Sequence, residues 1–573
     1  MSAHRDGYRT SAGARLGVSI LVVGCALSAC MSVGHAQTDD IEALRSEITE
    51  LKRQQQEQQQ QFDKKLRRLE RLLTKQSQQG AASSVSGPAR GDGPILAVAH
   101  TPPAASQAET YWMPVSESRA PAAERFWGAP PTDVKGVPGV KLTLGGYVEM
   151  AGIYRDKNLA TDVGTPFQHI PFDYLPQAHL DELRASARQS RVQGLVEGDI
   201  DPNQHLGAFL SFDFLGAAGT ANSNESNSYN PRLREFYATY DNTLEGWHFL
   251  AGQAWALVTL FKEGLIPRRE NIPLTIDAQY VPGFDWLRNP SFRIVKDWDR
   301  KIWLGLDIAN PEGIPGGVAP SNAVATVPCI SQLDPLANCS LDFMPDITAK
   351  LAWDPGWGHY EIFGLLRGFR DRLSPPGEND YEMAFSGGGG IILPILGDRL
   401  QLQGNILAGR GIGRYTSSQL ADFTFNEDGS ITPLSGVSFM VGATSRPTDD
   451  LELYVYGGQD KVFKHVSGAF GYGNPNFPPS DNSGCDIEGE PASTCTGASQ
   501  LSSVWQITAG FWHHLYDGDM GSVQWGIQDS YTVDETPFAF KGGAPSAALN
   551  TALLSFRYYP KFGTIVGTIP AGH

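Results

Sequence analysis

Eight cationic side chains, Arg191, Arg232, Arg234, Arg268, Arg269, Arg293, Lys350 and Arg557, are the groups in this sequence best suited to chemistry with a solute. Arginine stays charged, and its planar fork can hold both oxygens of a carboxylate. Contact of that kind is reversible and needs no catalytic group. A passage needs charges that attract a solute and still let it leave. Enzyme motifs are missing, since the sequence contains no GxSxG, HExxH or Walker pattern. Gly387-Gly-Gly-Gly390 precedes no helix with a phosphate-loop lysine and reads as a close approach or a bend. His513 and His514 fall on opposite faces of a strand, poor geometry for one metal. No residue is expected to be catalytic, and no metal or cofactor is expected.

Those cations can line a passage only if the elements carrying them point them the same way. From Leu142 to Phe562 the chain reads as sixteen short strands, joined by connections that alternate between long and short. The predicted strands are 142–154, 184–199, 204–215, 232–241, 246–257, 291–297, 301–308 and 345–354. They continue with 358–370, 381–393, 398–410, 435–446, 450–462, 501–515, 520–532 and 549–562. Asp201-Pro-Asn-Gln204, Asp354-Pro-Gly-Trp357 and Asp517-Gly-Asp519 are short links, while 155–183, 257–290, 309–344 and 463–500 are long. A membrane barrel keeps short turns at one end and long loops at the other.

Within the strands apolar and polar residues alternate. Leu206, Ala208, Leu210, Phe212 and Phe214 share one face, opposite Gly207, Ser211 and Asp213. Ile302, Leu304, Leu306 and Ile308 oppose Trp303 and Asp307. A soluble sandwich would alternate too, but the loop asymmetry and the even strand number favour a barrel. The predicted fold is therefore all-β and membrane-embedded: a 16-stranded antiparallel transmembrane β-barrel over 140–562. Sixteen strands would enclose an aqueous channel rather than a packed core.

Alternation then assigns directions. Val192 and Val196 mark the lipid side, which turns Arg191, Gln193, Glu197 and Asp199 inward. Ile347, Ala349 and Leu351 point out and Lys350 in; Arg557 opposes Phe556 and Tyr558. Arg232 and Arg234 share a face, with Glu235 on the other.

The rest of the sequence sets bounds. A net charge of −17 over 573 residues argues against nucleic acid as a partner. Residues 1–36 read as a secretory signal: Arg5, Arg9 and Arg15, then an apolar core from Leu16 to Leu27, then Gly34-His35-Ala36. Leu27-Ser-Ala-Cys30 also matches a lipobox, so cleavage after Ala36 and lipidation of Cys30 both stay open. Residues 38–76 carry heptad spacing through Ile41, Leu44, Ile48, Leu51, Phe62, Leu69 and Leu72, which predicts a coiled coil. An Ala/Gly/Ser/Pro-rich linker occupies 77–139, and 563–573 is a C-terminal extension. Cys329, Cys339, Cys485 and Cys495 lie pairwise in two long loops. Four cysteines allow three connectivities; local pairing, 329–339 and 485–495, is favoured because the loops would otherwise have to meet. A four-cysteine metal site is disfavoured by the absence of CxxC spacing.

Leu144-Gly-Gly-Tyr-Val-Glu149, Arg191-Val-Gln-Gly194, Arg232-Leu-Arg234, Gly252-Gln-Ala-Trp255 and Phe556-Arg-Tyr-Tyr-Pro560, in that order, resemble the DcaP-like outer-membrane porins. The resemblance implies a homotrimer in outer-membrane lipid, with the coiled coil in the periplasm. It implies lumens that favour small anionic solutes such as dicarboxylates or aromatic acids. It also implies that the third outside loop, 257–290, folds inward to form the constriction with Lys262, Arg268, Arg269, Glu270 and Asp277. A phosphate-selective porin is the alternative, weakened by only ten lysines after residue 140. A barrel that merely anchors a structural tether is the other.

Overall fold

The architecture comes from a computed structural model of the chain. It describes residues 140–216, 230–323, 341–474, 482–491, 494–495, 500–537 and 545–561. The predicted signal, coiled coil, linker, Cys329–Cys339 pair and C-terminal extension lie outside the described residues.

In chain order the strands are β1 (Val140–Arg155), β2 (Glu182–Ser186), β3 (Arg191–Asp201), β4 (Gln204–Gly216), β5 (Asn230–Asn242), β6 (Trp247–Trp255) and β7 (Arg288–Trp298). Next come β8 (Ile302–Ala309), β9 (Asp346–Trp353), β10 (His359–Leu373), β11 (Glu378–Pro394), β12 (Leu400–Arg410), β13 (Phe423–Phe425) and β14 (Ile431–Pro433). The last are β15 (Ser435–Thr448), β16 (Leu451–Val462), β17 (His465–Ser467), β18 (Phe470–Tyr472), β19 (Ser503–Gly518), β20 (Gly521–Glu535) and β21 (Ser546–Pro560). Seventeen of them form one closed antiparallel barrel of sixteen strand positions, because β2 and β3 share one position beside β1. β1 closes it against β21, with Val148 opposite Tyr558 and Arg155 opposite Thr551. All sixteen predicted strands are present, with ends shifted by a few residues.

Two local departures matter. The predicted strand 184–199 is broken: β2 and β3 both pair with β1, separated by residues 187–190. Gly146, at φ +125°, faces the break, where any Cβ would strike the carbonyl of Arg191. In β5 the register shifts: Ser211 of β4 opposes Glu235, and Phe212 opposes Leu233. Arg234 is the extra residue of this bulge. The expectation that Glu235 faces away from Arg234 is corrected here, because the bulge buries Arg234 and Glu235 together.

The barrel's outer face is apolar. Ile302, Leu304, Leu306 and Ile308 are each more than 40% exposed, while Trp303 and Asp307 between them are buried. Such a belt is costly in water and suits hydrocarbon, where a closed barrel also satisfies every backbone group. No helix among the described residues is long and apolar enough to cross a membrane. The long-loop end carries the hairpins β13–β14 and β17–β18. There Cys485 and Cys495 form a disulfide, as predicted, packed with Phe172, Leu501 and Leu549.

Candidate pore constriction

Residues 256–287, between β6 and β7, fold into the barrel. The segment is too apolar to sit in water, and the wall offers apolar surface to match it. Val258 and Leu287 pack with Phe363 and Leu365 of β10 and Leu407 of β12. Phe261 and Leu265 lie against Val295 of β7, Trp303 of β8 and Ala352 of β9. Ile276, Val281 and Phe284 join Met440 of β15, Tyr454 and Tyr456 of β16 and Trp512 of β19. Removing apolar surface from water is worth roughly 25 cal/mol per Å².

The buried backbone of this segment also needs partners, and strand side chains supply them. The Leu274 amide donates to Tyr456 Oη at 3.1 Å, and Trp512 Nε1 donates to the Leu274 carbonyl at 2.8 Å. The amide of Gly283 donates to Asp460 Oδ1 at 2.8 Å, and Asn405 Nδ2 to the Gly283 carbonyl at 2.7 Å. Gly390 is where Leu260 presses closest, and a Cβ there would collide with it. The glycine run in β11 is thus a close approach, one of the two roles expected of it. The segment thus enters the lumen, as the resemblance implied, and occupies its β7–β20 side.

The remaining side, bordered by β1 to β7, is rich in guanidinium groups. Arg232 holds Asp213 of β4 in a two-pronged contact, Nε–Oδ1 2.9 Å and Nη2–Oδ2 2.6 Å. Arg234 Nη1 donates to the same Asp213 at 2.8 Å, and its Nη2 to Tyr280 Oη at 3.4 Å. Arg191 lies 5.3 Å from the Tyr147 ring centre. Arg288, absent from the sequence reading, lies 5.1 Å from the rings of both Trp255 and Trp286. Neither Arg191 nor Arg288 forms a salt bridge among the described residues. Each keeps a buried nitrogen without a hydrogen bond, Nε of Arg191 and Nη1 of Arg288.

Tyr280 reports the resulting field. Burial alone would push its phenol up, yet the guanidiniums of Arg234, Arg288 and Arg191 bring it below its ordinary value. Its backbone is left-handed, φ +68°, a strained setting for a bulky side chain. Beside it, a cavity of about 360 Å³ is lined by Asp162, Arg184, Arg188, Arg232, Gln279 and Trp286, among others. Arg184 and Arg188 were also missed by sequence reading. Arg188 falls in the break between β2 and β3, where alternation gives no direction, and Arg184 lies in β2 just before it.

The other predicted cations have different surroundings. Arg293 is buried, with Nε 3.0 Å from Asp307 Oδ1 and Nη2 2.6 Å from the Trp255 carbonyl. Arg557 is buried, its Nε 3.0 Å from Glu149 Oε1 and its guanidinium 4.4 Å from the Trp512 ring centre. Lys350 is buried against Glu361 at 2.7 Å. Arg268 reaches Glu197 of β3 at 4.0 Å, and Arg269 pairs with Glu263 of its own hairpin at 3.1 Å. The structure therefore brings Arg191, Arg232 and Arg234 together with Arg288, and sets Arg269 and Lys350 apart from that cluster; Arg557 meets it across the Tyr147 ring, 4.9 Å from the ring centre.

Comparison with known proteins agrees with this architecture. No protein-family model matches the chain, and no curated protein sequence matches it. Among solved structures, it is similar to the outer membrane channel DcaP of Acinetobacter baumannii: TM-score 0.53 at 16% identity, covering 75% of this chain and 100% of that one. It also aligns with an anion-selective porin from Comamonas acidovorans, TM-score 0.41 at 11% identity, covering 73% and 99%. Salmonella typhi OmpF aligns with TM-score 0.40 at 11% identity, covering 74% and 98%. The likeness to the DcaP channel is one of fold.

Proposed function

We propose that this chain is an outer-membrane porin through which small organic anions, dicarboxylates among them, diffuse passively. The observation that carries the reading is the pair Arg191 and Arg288: guanidiniums on the β1–β7 side with no salt bridge among the described residues and with N–H groups to spare. A carboxylate arriving there meets donors already desolvated and oriented by rings, so little reorganisation opposes its contact. Arg184, Arg188 and Arg232 draw it into the adjoining cavity. Asp213 and Glu235 keep the cluster from binding too tightly, which a conducting site requires. The single lysine of the original set, Lys350, is engaged by Glu361, which favours carboxylates over the phosphate alternative.

The same reading puts residues 1–36 in an export signal and the long loops outside the cell. The coiled coil lies in the periplasm and helps three copies assemble. The apolar belt faces outer-membrane lipid. The test is reversal potential in planar bilayers under a salt gradient. The unmodified protein should prefer anions, and Arg191→Gln with Arg288→Gln should weaken that preference. Cation preference in the unmodified protein overturns the proposal.

A further inference from the structure

Lys350, expected to line the passage, belongs instead to a compact group of four charges with Asp354, His359 and Glu361, where β9 turns into β10. His359 Nδ1 lies 2.6 Å from Asp354 Oδ1, and Nε2 lies 2.9 Å from Glu361 Oε1. A neutral imidazole has one N–H and one lone pair. A lone pair facing a carboxylate at hydrogen-bond distance is repulsive. Both contacts are therefore hydrogen bonds when the ring is an imidazolium. In that state two cations face two anions, and the buried group is neutral.

The same carboxylates hold the inserted segment. Glu361 Oε1 accepts the Phe261 amide at 3.0 Å, and Asp354 Oδ2 accepts the Gly264 amide at 2.9 Å. Lys350 Nζ donates to Glu361 Oε2 at 2.7 Å and to the Thr259 carbonyl at 2.8 Å. The stretch from Thr259 to Gly264 thus hangs on these few side chains. The further charged neighbours are Arg293 of β7 and Asp285 of the segment, which act on Lys350. Across the sheet, β11 presents the uncharged Ile392 opposite His359.

We propose that His359 is a positioning residue for the constriction: its imidazolium clasps Asp354 and Glu361 together, and losing the ring proton frees the hairpin around residues 261–270 from the wall. The proposal rests on the reading of 256–287 as the constriction. A deprotonated ring leaves two carboxylates against one ammonium in a buried site and turns one contact repulsive. His248 supplies a natural control. Its Nδ1 lies 2.6 Å from Asp241 and its Nε2 3.0 Å from Asp297, the same double contact. Among the described residues, no hydrogen bond joins those carboxylates to the inserted segment.

The experiment uses the full chain in lipid, with a nitroxide label at Glu263→Cys and conductance recorded in parallel. The pH is raised from about 6 to about 10, because two facing carboxylates hold the ring proton beyond the range of an ordinary histidine. The label should be immobilised at the acid end and gain a mobile component as the pH rises, with conductance increasing in step. His359→Gln should show the mobile component at every pH. His359→Lys, a cation throughout this range, should restore the immobilised state and remove the pH dependence. His248→Gln should behave like the unmodified protein. An immobilised label at all pH values in both the unmodified protein and His359→Gln overturns the proposal, as does equal release by His248→Gln. If His359→Gln does not fold, the titration of the unmodified protein and His359→Lys still decide. The label reads the clasp even if no ion current is seen, so failure here is separable from failure of the porin reading.

Discussion

Arg268, on the inserted hairpin, comes within 4.0 Å of Glu197 on β3, so the segment touches the wall at β3 as well as at β8 and β9. The contact is long and partly open to solvent, and such pairs contribute about 0–1 kcal/mol to stability. Glu197→Gln should therefore leave thermal stability nearly unchanged. It removes an acid facing the passage, so reversal potential should shift toward stronger anion preference. A shift toward cations would show that Glu197 does not face the conducting path.

Arg293 and Arg557 should behave differently from Arg191. Each is buried on a carboxylate, Asp307 and Glu149 respectively. Losing one partner leaves the other charge buried and unpaired, a loss of about 3–5 kcal/mol. Arg293→Gln and Arg557→Gln should lower resistance to denaturant, read by the loss of barrel mobility in gels. Arg191→Gln should change selectivity and leave that resistance largely intact.

The inserted segment depends on two close approaches. Gly283 has φ +91°, and a Cβ there would strike the Phe439 carbonyl. Gly283→Ala and Gly390→Leu should each push the segment away from the wall. The expected outcome is higher single-channel conductance and a larger solute cut-off in liposome swelling, with the barrel still folded, because the strand ladder does not pass through the segment.

Asp342, in the loop before β9, gives a pH dependence of its own. Burial pushes its carboxyl up to about 7, with Asp346 and Asp422 adding to the rise and Arg367 and Arg414 opposing it. Its folded value lies above the unfolded one of about 3.9. Stability from this group is therefore fully present below that unfolded value and lost as pH rises through about 7. Asp342→Asn should raise the melting temperature at about pH 8 and have little effect at about pH 4. Equal effects at both would sink the assignment.

Much of this is legible in the sequence alone. The inward directions of Arg557 and Lys350 followed from one-residue alternation, since Phe556 and Leu351 had to meet lipid. Glu235 was not legible: a bulge is one residue inserted into one strand, and alternation read through it gives the wrong face. Arg288 was missed for a related reason. Counting back from Arg293 puts it on the outer face, and only the inward turn of the preceding segment carries it over Trp255 and Trp286. His359 gave no signal, because its partners matter through the backbone amides they hold.

The sequence by itself determined the barrel. Strand number, end asymmetry and the apolar belt are set by period and by loop length, both local properties of the chain. Tertiary structure decided which cations are available to a solute. Pairing of a guanidinium with a carboxylate depends on distances across the sheet and from the inserted segment. Carboxylates lie within salt-bridge distance of seven of the eight candidates, and Asp307, Glu149 and Glu361 hold three of those fully buried. Arg191 and Arg288 lie against aromatic rings, with no such salt bridge among the described residues.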